Sequence, residues 1–129
     1  MAYEAELYSA VNTTLYRYFA IVGGFYTIAS IIAAFVLAYL VRKHRPSFLW
    51  TLAGACCLLL AFVSWLVLVA PVNAEVAEAM TSAPDSVPAV WMRLRDRWEY
   101  GHATGFVITL AGLSLLLISI LVDTPKSSR

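Results

Sequence analysis

At 129 residues the chain is at most one domain by size, and 61% of it is hydrophobic against 13% charged. A soluble domain usually carries about 25% charged residues, and a chain this short could not hide so much apolar surface in its own core, so lipid must be the solvent for part of it. A net charge of +1 and a pI near 7.8 give no reason to expect nucleic acid as a partner.

The first seventeen residues, MAYEAELYSAVNTTLYR, hold Glu4 and Glu6 and lack a basic segment followed by an apolar core. No cleavable signal peptide is expected there, and insertion is left to the spans themselves. Charges then divide the chain. No Asp, Glu, Lys or Arg occurs from Tyr18 to Val41, from Pro46 to Ala74, or from Tyr100 to Val122. Each run exceeds the about 20 residues that a helix needs to cross the hydrocarbon. The runs are continuously apolar and do not alternate, so helices are the expected spanning form.

The expected architecture is an all-α integral membrane bundle in a single domain, with spans at about 18–41, 48–70 and 101–122 and a structured loop at 71–100. Small residues mark helix–helix faces: Gly23 and Gly24 in the first span, Gly54 and Ser64 in the second, Gly105, Gly112, Ser114 and Ser119 in the third. Cys56 and Cys57 are adjacent within an apolar run, where a relaxed disulfide does not fit, and are expected as small buried thiols.

The connection Arg42 to Pro46 is short and basic, making spans one and two a hairpin with Pro46 in the turn. Pro71 is expected to end or kink the second span. Thr81 to Pro88 reads as a turn, after which a helix restarts with Asp85 or Ser86 as cap and Pro88 in its first turn. Val87, Val90, Trp91, Leu94 and Trp98 follow at spacings of three and four, an amphipathic pattern. No breaker intervenes, so one helix should begin outside the bilayer and continue to about Val122. Counting Lys and Arg near the spans gives five, Lys126 and Arg129 included, on the side of the first loop against four on the other. That places the long loop away from the cytoplasm, the membrane being a plasma or inner membrane.

Chemistry concentrates in RLRDRWEYGH, Arg93 to His102. On a helix Arg95 faces Glu99 and Trp98 faces His102, each four apart. Glu99 and His102 are three apart, a spacing that di-iron bundles use. Glu75 and Glu78 could converge with them, but such a site wants two Glu-x-x-His units and one exists. An imidazole paired with a carboxylate is a usable acid or base. A plainer account makes Arg93, Arg95, Asp96, Arg97, Glu99 and His102 a solvated collar at the membrane surface. Trp91 and Trp98 are belt residues on one account and a wall for a flat aromatic ligand on the other. Asn73 can cap the carbonyls that Pro71 leaves open. A Gly-rich phosphate loop, a Ser/His/Asp set and a CxxC motif are all missing from the chain.

APVNAEV (Ala70 to Val76) after a Trp-containing span, then LRDRWEYGH (Leu94 to His102) opening the last span, resembles the anthrone oxygenase-like family of small membrane proteins. LYSAVNTTLYRYFAIVGGF (Leu7 to Phe25) is similar to the stretch before that family's second span. The resemblance implies four spans, the first lying ahead of the stretch that resembles Met1 to Arg17. This chain is expected to lack it, as a shortened variant or through starting at an internal methionine.

Some fungal members of that family oxidise anthrones to anthraquinones with O₂ and no well-defined cofactor. The resemblance therefore implies an O₂-dependent oxidoreductase acting on a lipophilic aromatic, anthrone-like or quinone-like, without cofactor or metal. It also implies His102 as base, Glu99 orienting it, Trp98 and Trp91 lining a pocket, and Asn73 or Arg97 stabilising an enolate oxygen. The alternative is a non-enzymatic membrane subunit, whose exposed helix faces suit self-association or partner contacts.

Overall fold

The computed structural model describes residues 17–123. The readings that fall on residues 1–16 and on Lys126 and Arg129 lie outside them. Among the described residues there is no strand. The elements are α1 (Arg17–Leu40), α2 (Arg45–Leu68), α3 (Ala70–Ser82), a 3₁₀ turn (Pro84–Ser86) and α4 (Val87–Asp123). Three helical stretches are long and apolar enough to cross a membrane. Their flanks carry bare apolar side chains, such as Phe19 at 73% exposure and Phe106 at 67%, which only lipid would solvate. The protein is an all-helical membrane protein, with three spans among the described residues.

The described chain forms two compact units, one of residues up to Tyr26 with Ser64–Thr104, the other of Thr27–Val63 with the residues from Gly105. In the second unit, the buried positions gather on one side of each helix: Ile31, Ala34 and Ala38 on α1, three and four apart, and Ser47, Thr51, Gly54, Ala55 and Ala61 on α2. On α4 that side holds Gly112 and Ser119. These residues are mostly small, so backbones approach where lipid gives no hydrophobic drive to associate. A Cβ on Gly112 would stand 3.0 Å from Cys57 Cβ and 3.1 Å from the Gly54 carbonyl oxygen.

The Thr51 and Ser119 hydroxyls lie 2.6 Å apart, and each reaches the Ser47 carbonyl oxygen, at 2.8 and 3.0 Å. Two hydrogens serve these three contacts, so one hydroxyl donates to the carbonyl while the other donates to it. Cys57 is half-buried, whereas Cys56 is exposed and not the buried thiol expected. Adjacent helical residues point about 100° apart, so Cys56 faces away from the side on which Cys57 approaches Gly112.

The α1–α2 turn closes on itself: Arg42 donates to the Tyr39 carbonyl at 2.7 Å and lies 3.8 Å from the centre of the Tyr39 ring. Pro46 is not in the turn. It is the second residue of α2, where a missing N–H costs nothing.

In the first unit, α3 folds back on the start of α4. Val72 and Val76 on one side meet Trp91 and Leu94 on the other, all buried, with Met80, Val90 and Trp98 packed at the margin, and Val69 and Val87 are buried as well. The spacings 69/72/76/80 and 87/91/94/98 put one stripe of each helix on the shared face. The connection is tight. Ala83 N–H donates to the Ala79 carbonyl, and Ser86 donates to the Ala83 carbonyl through both its backbone N–H and its hydroxyl. Asp85 and Ser86 thus belong to the 3₁₀ turn ahead of α4.

Candidate functional site

The residues singled out from the sequence fall on two helices of one unit: Asn73 on α3; Trp91, Arg97, Trp98, Glu99 and His102 on α4. Positions 91, 98 and 102 are separated by two turns and then one, which aligns their rings along one side of α4. Trp91 and Trp98 meet edge to face, centroids 5.8 Å apart at 69°. Trp98 and His102 lie closer, at 4.1 Å and 44°.

Burial falls along this column: Trp91 is buried in the hairpin core, Trp98 is half-buried, and His102 is exposed. Trp91 therefore backs Trp98 from within the core.

Two hydrogen bonds fix these rings. The Trp98 indole Nε1–H donates to Asn73 Oδ1 at 3.1 Å, tying α4 to α3. His102 Nδ1 lies 2.9 Å from the Trp98 carbonyl oxygen. A carbonyl oxygen can only accept, so in the neutral ring Nδ1 carries the hydrogen and Nε2 keeps the lone pair. The Nε2 side of the imidazole is thus left outside this bond, and its ring lies against the indole.

Glu99 pairs with Arg95, while His102 Nδ1 meets the Trp98 carbonyl. The Glu99 carboxylate accepts from Arg95 Nε at 2.6 Å, because a full opposite charge four residues back outcompetes a neutral imidazole three residues ahead. Glu75 is likewise taken by Arg93 across the hairpin. The convergence of Glu75, Glu78, Glu99 and His102 does not form, and among the described residues no group of three or more His, Cys, Asp or Glu side chains is placed to hold a metal.

The Asn73 side-chain oxygen accepts from Trp98. Arg97 reaches the Val67 carbonyl oxygen, at 3.1 Å. The sequence reading also passed over Gly101. It is buried beside the α2–α3 junction, where a Cβ would lie 2.8 Å from Val69 Cγ2 and 3.1 Å from Leu68 Cβ. Its signal was available, since Gly101 stands four residues before Gly105, the spacing of close helix contact.

No curated protein and no solved structure matches the chain. A family model described as anthrone oxygenase matches residues 13–116, which include all four helices except the last residues of α4. The match takes in both the hairpin and the column of rings ending at His102, and the chain belongs to the anthrone oxygenase family.

Proposed function

We propose that the protein is an O₂-dependent oxidoreductase acting on a lipophilic, anthrone-like aromatic at the membrane surface, with His102 Nε2 as the base. The observation that carries this is the His102 ring, held by its Nδ1–H on the Trp98 carbonyl and lying 4.1 Å from the Trp98 indole. Family membership supports the reaction class.

An anthrone has an acidic methylene flanked by two aromatic rings. His102 Nε2 takes one methylene proton, and the resulting carbanion delocalises its charge onto the ring-ketone oxygen. The carbanion carbon passes electrons to O₂ and forms a C–O bond, giving a peroxide that is protonated by the imidazolium. Loss of the second methylene hydrogen as a proton, with cleavage of the O–O bond, leaves a new carbonyl and water. The sum is anthrone plus O₂ to anthraquinone plus water.

On this reading Trp98 supplies the flat wall, stacking favouring a planar polycycle. Trp91 backs that wall from the core. Asn73 orients the indole through its carbonyl oxygen, and Asn73 or Arg97 stabilises the enolate oxygen. Glu99 and Arg95 form a neutralised pair beside the base.

The test is O₂ uptake and quinone absorbance with a hydroxylated anthrone and purified protein in lipid nanodiscs, against protein-free nanodiscs. The wild type should exceed the background rate. His102→Ala, folded by circular dichroism, should lose about 10²–10⁴-fold of the excess, the usual worth of a general base. No excess rate, or full activity without His102, would leave the non-enzymatic subunit as the better reading.

A further inference from the structure

An α-helix bonds each carbonyl to the N–H four residues later. Across the α2–α3 junction that ladder persists: Val69 N–H donates to the Trp65 carbonyl at 2.9 Å, and Asn73 N–H to the Val69 carbonyl at 3.0 Å. The rung from residue 71 to Val67 cannot form, because Pro71 has no N–H. The Arg97 guanidinium, on another helix, donates to that same Val67 carbonyl at 3.1 Å.

We infer that Arg97 is a positioning residue which supplies in trans the hydrogen bond that Pro71 removes, and so sets the direction in which α3 leaves α2. Three further contacts depend on that direction. Gly101, one turn beyond Arg97 on the same face of α4, packs against Leu68 and Val69 of the junction. Val72 and Val76 of α3 fill the hairpin core. Asn73, two residues past Pro71, holds the Trp98 indole. Arg97 thus acts on the ring column through the backbone of α3, and not by touching a substrate.

A long, planar cation suits this position. It reaches from one helix to the outer face of another, stays charged, and leaves further N–H groups for water or lipid headgroups. An unmet carbonyl at a membrane surface would otherwise cost free energy or let the junction splay. Proline there gives a fixed bend, and Arg97 removes its penalty.

The inference predicts that Arg97 matters only while residue 71 is proline. Pro71→Ala restores a backbone N–H to the rung, so a cycle of Arg97→Met with and without Pro71→Ala isolates the effect. Two readouts need no activity: the unfolding equilibrium in mixed micelles, and the Trp98 indole ¹H–¹⁵N resonance, which senses the bond to Asn73. In the Pro71 protein, Arg97→Met should weaken folding by roughly tenfold, the scale of one hydrogen bond from a charged donor, and move the indole resonance. In Pro71→Ala both effects should shrink to near nothing, and Arg97→Lys should recover part of each in the Pro71 protein. Equal losses in both backgrounds, or none in either, would overturn the assignment.

A third readout rests on the proposed oxidation. Turnover lost in Arg97→Met should return in Pro71→Ala/Arg97→Met, whereas a guanidinium acting on the substrate would be missed in both. Absence of turnover in the wild type would count against the oxidase reading alone, since the folding and resonance cycles stand apart from it.

Discussion

Alanine at Gly101 tests whether the α2–α3 junction presses on α4 as closely as the structure shows. A helix interior prefers alanine to glycine by about 1 kcal/mol, so an unhindered substitution should stabilise. Gly101 is hindered: the new Cβ would lie 2.8 Å from Val69 Cγ2 and 3.1 Å from Leu68 Cβ. Val69 is fully buried, and a β-branched side chain has few rotamers to retreat into. The junction or α4 must therefore shift by several tenths of an ångström, and overpacking of this kind typically costs about 1–3 kcal/mol. The control is Gly24→Ala on α1, where a Cβ meets nothing within 4 Å and only the helix preference should register. In reversible unfolding in mixed micelles, Gly101→Ala should fall below Gly24→Ala by about 1–3 kcal/mol, the overpacking term alone. If both alanines stabilise equally, α4 does not approach the junction closely and the account of the hairpin's upper end fails.

The other expectations concern single bonds. Trp98→Phe keeps most of the ring and removes the indole N–H, so it should cost about 1 kcal/mol of stability through the lost Asn73 bond; an unchanged denaturation midpoint would refute that bond. Thr51→Val and Ser119→Ala should each cost about 0.6 kcal/mol, as hydroxyl bonds between membrane helices do. Their double mutant should cost less than the sum because both hydroxyls reach the Ser47 carbonyl, and strict additivity in the same titration would sink the shared-acceptor reading. Glu75→Gln should change stability by under about 1 kcal/mol, since the Arg93 and Glu75 side chains are 63% and 44% exposed. That small effect should vanish in concentrated salt, and a large salt-independent loss would show the pair to be worth more.

The spans were legible because lipid imposes a simple rule: charges stay out of long apolar runs. The amphipathic start of α4 was legible too, its spacing placing Val87, Trp91 and Leu94 in the hairpin core as read. Within α4, the local pairs Arg95/Glu99 and Trp98/His102 followed from one-turn spacing. What the sequence did not disclose was competition between partners. Glu99 had two candidates on its own helix and took the cation. The Val67 carbonyl had a nearby amide in Asn73, yet the guanidinium 30 residues away reached it. Such outcomes depend on how α3 and α4 meet, and no spacing along one helix encodes that. Gly101 showed in the sequence by its spacing from Gly105, but its partner, the Val69 methyl, did not.

The placement of His102 bears on why this chemistry would sit on a membrane protein at all. α4 has 37 residues, about 55 Å of helix, whereas the hydrocarbon core is about 30 Å thick. Part of α4 must stand outside. Arg93, Arg95, Asp96, Arg97 and Glu99 fix which part, since the next charged residue after Glu99 is Asp123. His102 therefore lies at the apolar edge, within the first turn past the last charge and beside a tryptophan of the kind that favours the interface. A planar polycycle with one polar edge partitions to that same depth, ring system toward the chains and oxygens toward the headgroups. A base farther out would meet the substrate only after it had left the lipid. A base deeper in would have to become a cation in hydrocarbon, at a cost of several kcal/mol. On the proposed function, the edge is where the protonated imidazole would still be solvated and where O₂, more soluble in lipid than in water, would meet the carbanion. The amphipathic extension brings Asn73 to Trp98 at the depth that the proposed reaction requires of its substrate and oxidant.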